Sequence, residues 1–276
     1  MDVKALLREL ELRPQKGMGQ NFLLDEHVLQ KIVSAAAVNS DDTVLEVGPG
    51  LGTLTQALAE RARRVVAVEL DEQLVSVLRQ RLARFSNTEI VAGDILALDV
   101  ARLLQEEATQ SVPPYKVVAN IPYYITSAVL RHVLEASVRP RLIVLMVQRE
   151  VAQRIVAKPG EMSLLAVSVQ FYGRPQVVAR VPARCFYPAP KVDSAIVRIE
   201  PHAQLPVSIA EIKPFFDVVR AGFGQRRKQL HNALHHGLAL PAVCVTQAMA
   251  EAGINEQRRA QTLSVSEWVA LYRAFL

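Results

Sequence analysis

Five short apolar runs rich in Val and Ile recur along the first half of the chain: residues 43–48 (TVLEVG), 65–70 (VVAVEL), 89–94 (EIVAGD), 116–120 (KVVAN) and 141–148 (RLIVLMVQ). Their apolar residues are consecutive rather than alternate, so each run predicts a strand buried on both faces. Between them lie stretches with three- and four-residue apolar spacing, such as 53–62, 71–85 and 127–136, which predict helices. Residues 25–37 predict a further helix, with Asp25 as N-cap and Val28, Ile32 and Val33 on one face. Strands alternating with helices predict an α/β fold: a doubly wound, Rossmann-like domain whose ligand sits at the carboxyl ends of its strands.

Near residue 200 the rhythm ends. Pro201 and Pro206 bracket a polar stretch, and the remainder carries only helical spacing, in segments 208–221, 226–238, 241–252 and 265–275. The expected organisation is an α/β domain over 1–200, with an N-terminal extension over 1–24, and a small all-helical domain over 207–276. No apolar run approaches the roughly 18 residues that span a bilayer. The charged N-terminus has no signal-peptide core. Cys185 and Cys244 stand alone, so a disulfide framework or Cys-rich zinc site is excluded and a reducing, cytoplasmic setting is expected. No coiled-coil repeat is visible, and a monomer is expected.

Charge adds a direction. The net +5 divides unevenly, with 8 basic residues against 12 acidic ones over 41–120, and 11 against 5 over 121–200. An acidic half followed by a basic half suits a cofactor site in the first and a polyanion surface in the second.

Glu46-Val47-Gly48-Pro49-Gly50-Leu51-Gly52 joins a predicted strand to a predicted helix. Its glycines permit a tight turn and close backbone approach to a ligand. They run G-x-G-x-G, not the G-x-G-x-x-G of dinucleotide sites, and Pro49 lacks the N–H that a pyrophosphate would use. An adenosine-bearing ligand without a pyrophosphate is implied. Glu69, ending the second strand, is placed to accept hydrogen bonds from both ribose hydroxyls, and Asp94, ending the third, from an adenine amino group. With Gly48 and Gly50, these acids favour S-adenosylmethionine over NAD.

The fourth strand ends in Asn120-Ile121-Pro122-Tyr123, which resembles the (N/D)PP(Y/F)-type motif of methyltransferases acting on exocyclic amino groups. An adenine N6 lone pair is delocalised into the ring, and becomes nucleophilic when acceptors hold its two N–H groups. The Asn120 side-chain oxygen and a backbone carbonyl of Ile121 or Pro122 can supply them, while Tyr123 can stack on the base. A base reaches such a pocket only by leaving its stack. Phe186 is a candidate for its other face.

Over nearly its whole length the chain resembles the small-subunit (16S) ribosomal RNA adenine N6-dimethyltransferases of the KsgA/RsmA type. The resemblance rests on GQNFLLD (19–25), EVGPGLGTLT (46–55), the acid at 69, GD (93–94), NIPYYIT (120–126), VQREVAQRI (147–155), FYPAPKVDSAIV (186–197) and FGQRRKQLHNAL (223–234). It implies cofactor contacts at Asn21, Leu23, Gly48, Glu69, Asp94 and Asn120. It also implies dimethylation of two adjacent adenosines in the hairpin loop near the 3′ end of 16S rRNA within the 30S subunit or its precursor. S-adenosylmethionine would give S-adenosylhomocysteine, with no metal and no membrane partner. One departure from the family pattern is visible: Leu164-Leu165 follow Ser163, where the resemblance implies a more polar, RNA-facing turn.

Candidate phosphate contacts are Arg13, Lys16, Arg149, Arg154 and the cluster Arg226-Arg227-Lys228 at a predicted helix start. Two other readings share many of these residues. One is the 23S rRNA adenine methyltransferase of macrolide resistance, disfavoured by PKVDSAIV and QRRKQLHNAL; the other is a ribosome-assembly binding factor with secondary catalysis.

Overall fold

Thr43–Val47 (β1), Arg64–Glu69 (β2), Thr88–Ala92 (β3), Tyr115–Asn120 (β4) and Leu142–Gln148 (β5) form the strands foreseen from the apolar runs. Two more, Gly173–Val181 (β6) and Ser194–Pro201 (β7), complete a seven-stranded sheet in the order β3-β2-β1-β4-β5-β7-β6. The computed structural model describes residues 3–106, 109–225 and 227–276.

β1 pairs in parallel with β2 and β4, β2 with β3, and β4 with β5, while β7 runs antiparallel to β5. The strand order reverses between β1 and β4, so a crevice opens outside their carboxyl ends, where open α/β sheets hold ligands. β6 was missed from sequence for a physical reason. It ends the sheet order, much of it is exposed, and its Gly173-Arg174-Pro175 start reads as a loop, whereas proline is tolerated at a sheet edge.

The connecting helices include Glu26–Ala36 (α1), Thr53–Ala59 (α2), Glu72–Arg81 (α3) and Thr126–Leu134 (α4). Asp25 caps α1 as expected, accepting from the His27 and Val28 N–H groups, and Asp71 caps α3. Val28, Ile32 and Val33 face the sheet core with Val44, Val118, Val144 and Ile196.

The chain divides into two compact units, Met1–Ala152 with Pro175–Pro201, and Gln153–Arg174 with His202–Leu276. A division at residue 200 alone would assign Gln153–Arg174 to the α/β unit; contacts place it in the helical one. The cause is Leu164–Tyr172 (α5), capped by Ser163, whose Phe171 stacks on Phe215 at 4.8 Å between ring centroids. Leu164-Leu165, the departure from the family's polar turn, form the first residues of this helix.

Ile212–Phe223 (α6), Leu230–Leu238 (α7), Ala242–Glu251 (α8) and Val265–Arg273 (α9) correspond to the four helical segments read from spacing. α7 begins at Leu230, so Arg227 and Lys228 occupy the turn before it rather than its start. Trp268 is fully buried in this unit, and a Cβ on Gly222 would lie 2.4 Å from its ring, so only glycine fits there.

Among the described residues no helix is long and apolar enough to cross a membrane.

Candidate active site

The carboxyl ends of β1, β2 and β4 border a cavity of about 330 Å³, lined on one side by Gly48, Gly50, Glu69 and Asp94 and on the other by Asn120, Ile121, Pro122 and Tyr123. Asn21 and Leu23 line it as well. All the cofactor positions expected from sequence therefore meet in one place, with the tetrapeptide facing them.

The glycine loop leaves β1 with positive φ at Gly48 (67°) and Gly50 (60°), the left-handed region that glycine tolerates best. A Cβ on Gly50 would also lie 3.2 Å from the Phe22 ring, which lines the cavity from the N-terminal segment. The loop is closed by hydrogen bonds across strands. The Gly48 N–H donates to the Val68 carbonyl at 2.9 Å, and the Gly50 N–H donates to Glu69 Oε2 at 3.0 Å.

Glu69 is tied down twice, because its Oε1 accepts from the Asp71 N–H at 3.0 Å. Burial raises its pKa, an effect the Asp71 and Gly50 N–H groups oppose. Each carboxylate oxygen still has acceptor capacity for a ribose hydroxyl. The Asp71 Oδ2 in turn accepts from the Gln15 and Gln20 side-chain amides at 3.1 and 3.0 Å, docking the N-terminal segment beside Glu69. Asp94 sits exposed at the rim, where its Oδ1 accepts from the Leu96 N–H at 2.9 Å.

Glu46 was passed over in the sequence as part of the loop. It lines the cavity, is 1% exposed, and neither its Oε2 nor the buried Thr55 hydroxyl finds a hydrogen-bond partner among the described residues. Burial pushes its pKa up to about 8, against the opposing pull of the adjacent Thr55 hydroxyl and with reinforcement from the Glu69 carboxylate. A buried carboxyl is costly to ionise without a partner, and a ligand that brings a positive charge would supply one.

On the opposite side, Asn120 Nδ2 donates to the Asn21 carbonyl at 3.4 Å, an orientation that leaves Oδ1 as the free acceptor. Tyr123 is half-buried, with its hydroxyl 2.6 Å from Ser194 Oγ. Tyr124 also lines the cavity and is 64% exposed, so a second aromatic stands at its mouth.

Phe186 requires a correction. Expected to cover the second face of a base, it is 2% exposed, packed in the sheet core, and absent from the cavity lining. The cause is pairing: the two-residue strands Phe22–Leu23 and Phe186–Tyr187 run antiparallel with Leu23 opposite Phe186, which locks that ring inward.

The basic candidates are solvent-facing wherever they are described. Arg13 and Arg154 are exposed, Arg149 is exposed with its guanidinium 3.9 Å from the Asp193 carboxylate, and Arg227 and Lys228 are exposed in their turn. Arg226 and the Lys16 side chain lie outside the described residues.

The donor set fits S-adenosylmethionine. A glycine cradle that a Cβ would fill admits a ligand backbone, and an orphaned buried carboxylate suits its cationic end. Among the described residues no group of three His, Cys, Asp or Glu side chains could hold a metal ion.

The chain is similar to proteins already known. A family profile described as "Ribosomal RNA adenine dimethylase" matches residues 12–275. The chain is 49% identical to "Ribosomal RNA small subunit methyltransferase A" of Dehalococcoides mccartyi over 97% of this chain and 90% of that one. To the protein of the same description from Moorella thermoacetica it is 44% identical, over 98% and 95%. Among solved structures, a dimethyladenosine transferase from Plasmodium falciparum superposes with a TM-score of 0.77 at 26% identity, covering 91% of this chain and 95% of that one. The 23S rRNA methyltransferase ErmE superposes with a TM-score of 0.73 at 30% identity, covering 92% and 99%.

Proposed function

Because the chain belongs to the ribosomal RNA adenine dimethylase family, we propose that it dimethylates N6 of two adjacent adenosines near the 3′ end of 16S rRNA, acting as a monomer on the 30S particle or its precursor. The observation that carries this reading is the single cavity in which Gly48, Gly50, Glu69 and Asp94 face Asn120 and Tyr123. S-adenosylmethionine, when bound, supplies a methyl group on a sulfonium, electrophilic enough to need no strong base on the protein.

Glu69 accepts from the ribose hydroxyls while the Gly50 and Asp71 N–H groups hold its carboxylate in place. Asp94 accepts from the adenine amino group at the rim. Glu46 offers its buried carboxylate to the cationic end of the cofactor, which would supply the missing partner of Oε2. On the base side, Asn120 Oδ1 and a carbonyl of the Ile121-Pro122 turn accept the two N6 hydrogens and direct the nitrogen lone pair into the cavity. Catalysis of this kind rests on positioning and fixed dipoles. Tyr123 stacks on the extruded base, and the exposed Arg13, Arg149, Arg154, Arg227 and Lys228 hold phosphates without reading sequence.

The small-subunit reading is favoured over the 23S alternative because relatives described as small-subunit enzymes reach 49% identity, against 30% for ErmE. Purified protein, labelled S-adenosylmethionine and undermethylated ribosomal subunits test it. N6-dimethyladenosine in 16S rRNA is the expected product; label confined to 23S rRNA, or no label while cofactor binds, overturns the proposal.

A further inference from the structure

The segment PKVDSAIV (190–197) distinguishes this chain in sequence, yet none of its side chains lines the cavity. Topology gives it a role. β7 runs antiparallel to β5, with Ser194 opposite Gln148, so β7 begins at the edge of the sheet where β4 and β5 end. A parallel strand would begin at the far edge. The first residue of β7 thus arrives beside the tetrapeptide that follows β4.

That residue is Ser194, fully buried, whose hydroxyl lies 2.6 Å from that of Tyr123 across 71 residues of sequence. Its neighbour Asp193 anchors the strand entry, with its carbonyl accepting from the Arg149 N–H at 2.9 Å and its carboxylate from the Ala183 N–H at 3.1 Å. One residue pins the backbone and the next reaches the tyrosine. Tyr123 itself sits in the short 3-10 turn Tyr123–Ile125, where no side chain caps the turn.

We infer that Ser194 is a positioning residue for methyl transfer: its hydroxyl fixes the plane of the Tyr123 ring against which the target base is held. The inference rests on the proposed base-stacking role of Tyr123. A buried serine with one strong hydrogen bond has little rotational freedom, so it holds the phenol end of the ring while the Tyr123 backbone holds the other. With this bond removed the ring swings, and the base loses its alignment with Asn120 Oδ1. Misplacement of a reacting group by about 1 Å can cost on the order of 100-fold in rate.

The test compares Ser194→Ala, Tyr123→Phe, the double variant and Tyr123→Ala, on undermethylated 30S particles. Ser194→Ala and Tyr123→Phe break the same bond from either side, so each should lower kcat by about tenfold, a part of the full misplacement cost. The double variant should be no slower than either single one. Affinity for 30S particles without cofactor and the Kd for S-adenosylmethionine should stay within about twofold of wild type, because neither hydroxyl touches phosphate or cofactor in this reading. Wild-type kcat in both single variants, or losses that multiply in the double one, would overturn the pairing while Tyr123→Ala remains inactive. A fully active Tyr123→Ala would instead overturn the stacking role and the pairing with it. If Ser194→Ala folds poorly, Tyr123→Phe carries the same decision.

Discussion

The cofactor side of the cavity is held by backbone groups close at hand: Glu69 takes N–H groups 2 and 19 residues away, within one strand-helix-strand unit. The base side is held by partners from far along the chain, with Asn120 tied to the Asn21 carbonyl across 99 residues and Tyr123 to the Ser194 hydroxyl across 71. A locally built wall depends on backbone conformation and tolerates little change in its glycines. A wall built at long range depends on the whole sheet closing correctly. Damage to the first should therefore appear in cofactor affinity, and damage to the second in turnover.

The largest effect is expected on the base side. Asn120→Ala removes the acceptor for the N6 hydrogens and should lower kcat by about 10²–10³, the range for loss of one transition-state hydrogen-bonding group. Its Kd for S-adenosylmethionine, measured by calorimetry, should rise far less; an equal loss in both would erase the distinction between the walls.

Next comes the cofactor side. Gly50→Val puts a branched side chain at φ 60° and against the Phe22 ring. Left-handed strain of about 1–2 kcal/mol corresponds to a loss of about 5- to 30-fold in cofactor affinity if binding needs this loop shape. At saturating cofactor, kcat should recover towards wild type, the reverse of the Asn120→Ala pattern.

Glu46→Gln separates stability from binding. In the cofactor-free protein Glu46 holds its proton up to about pH 8, whereas an unfolded glutamate loses it near 4.5. Between these values the folded state binds the extra proton, so stability falls as pH rises from about 4.5 to about 8, and the penalty is complete above 8. Raised Glu69 contributes with the same sign. Glu46→Gln should therefore raise Tm at pH 9 relative to wild type and change it little at pH 5. It should also weaken S-adenosylmethionine binding, and abolish the rise in affinity expected of wild type as pH climbs to about 8. A variant with unchanged affinity at every pH would remove Glu46 from the cofactor wall.

The smallest change belongs to neither wall. Arg227→Ala with Lys228→Ala should weaken binding to 30S particles without altering kcat at saturation. The slope of log K against log salt should fall by about 0.7–0.9 for each phosphate contact removed. An unchanged slope would show that these exposed cations face solvent only.

The glycine loop and acids of the cofactor wall were legible in sequence because they are local: a loop after a strand, then an acid at the end of each of the next two strands; Asn21 and Leu23, brought in by the N-terminal segment, were legible only through the family resemblance. Strand alternation brings such positions together whatever the rest of the chain does. Asn120 and Tyr123 were legible for a different reason, the chemistry of an exocyclic amine. Glu46 was hidden, since a carboxylate inside an apolar run reads as a strand position until burial leaves it without a partner. Phe186 misled because its segment carries aromatics at successive positions, and only pairing with Leu23 decided that Phe186 turns inward.

The sequence by itself determined what continuous apolar runs, period-3.6 patterns and turn chemistry can encode: five of the seven strands, the C-terminal helices, the glycine loop and its acids. The antiparallel seventh strand beside β5, the transfer of 153–174 to the helical unit, and the meeting of Ser194 with Tyr123 were decided by tertiary structure alone. The reason is physical. Local spacing fixes which face of an element is apolar, but strand order, strand direction and long-range side-chain pairs depend on which apolar faces bury one another, and residues 71 or 99 positions apart leave no periodic trace of their contact.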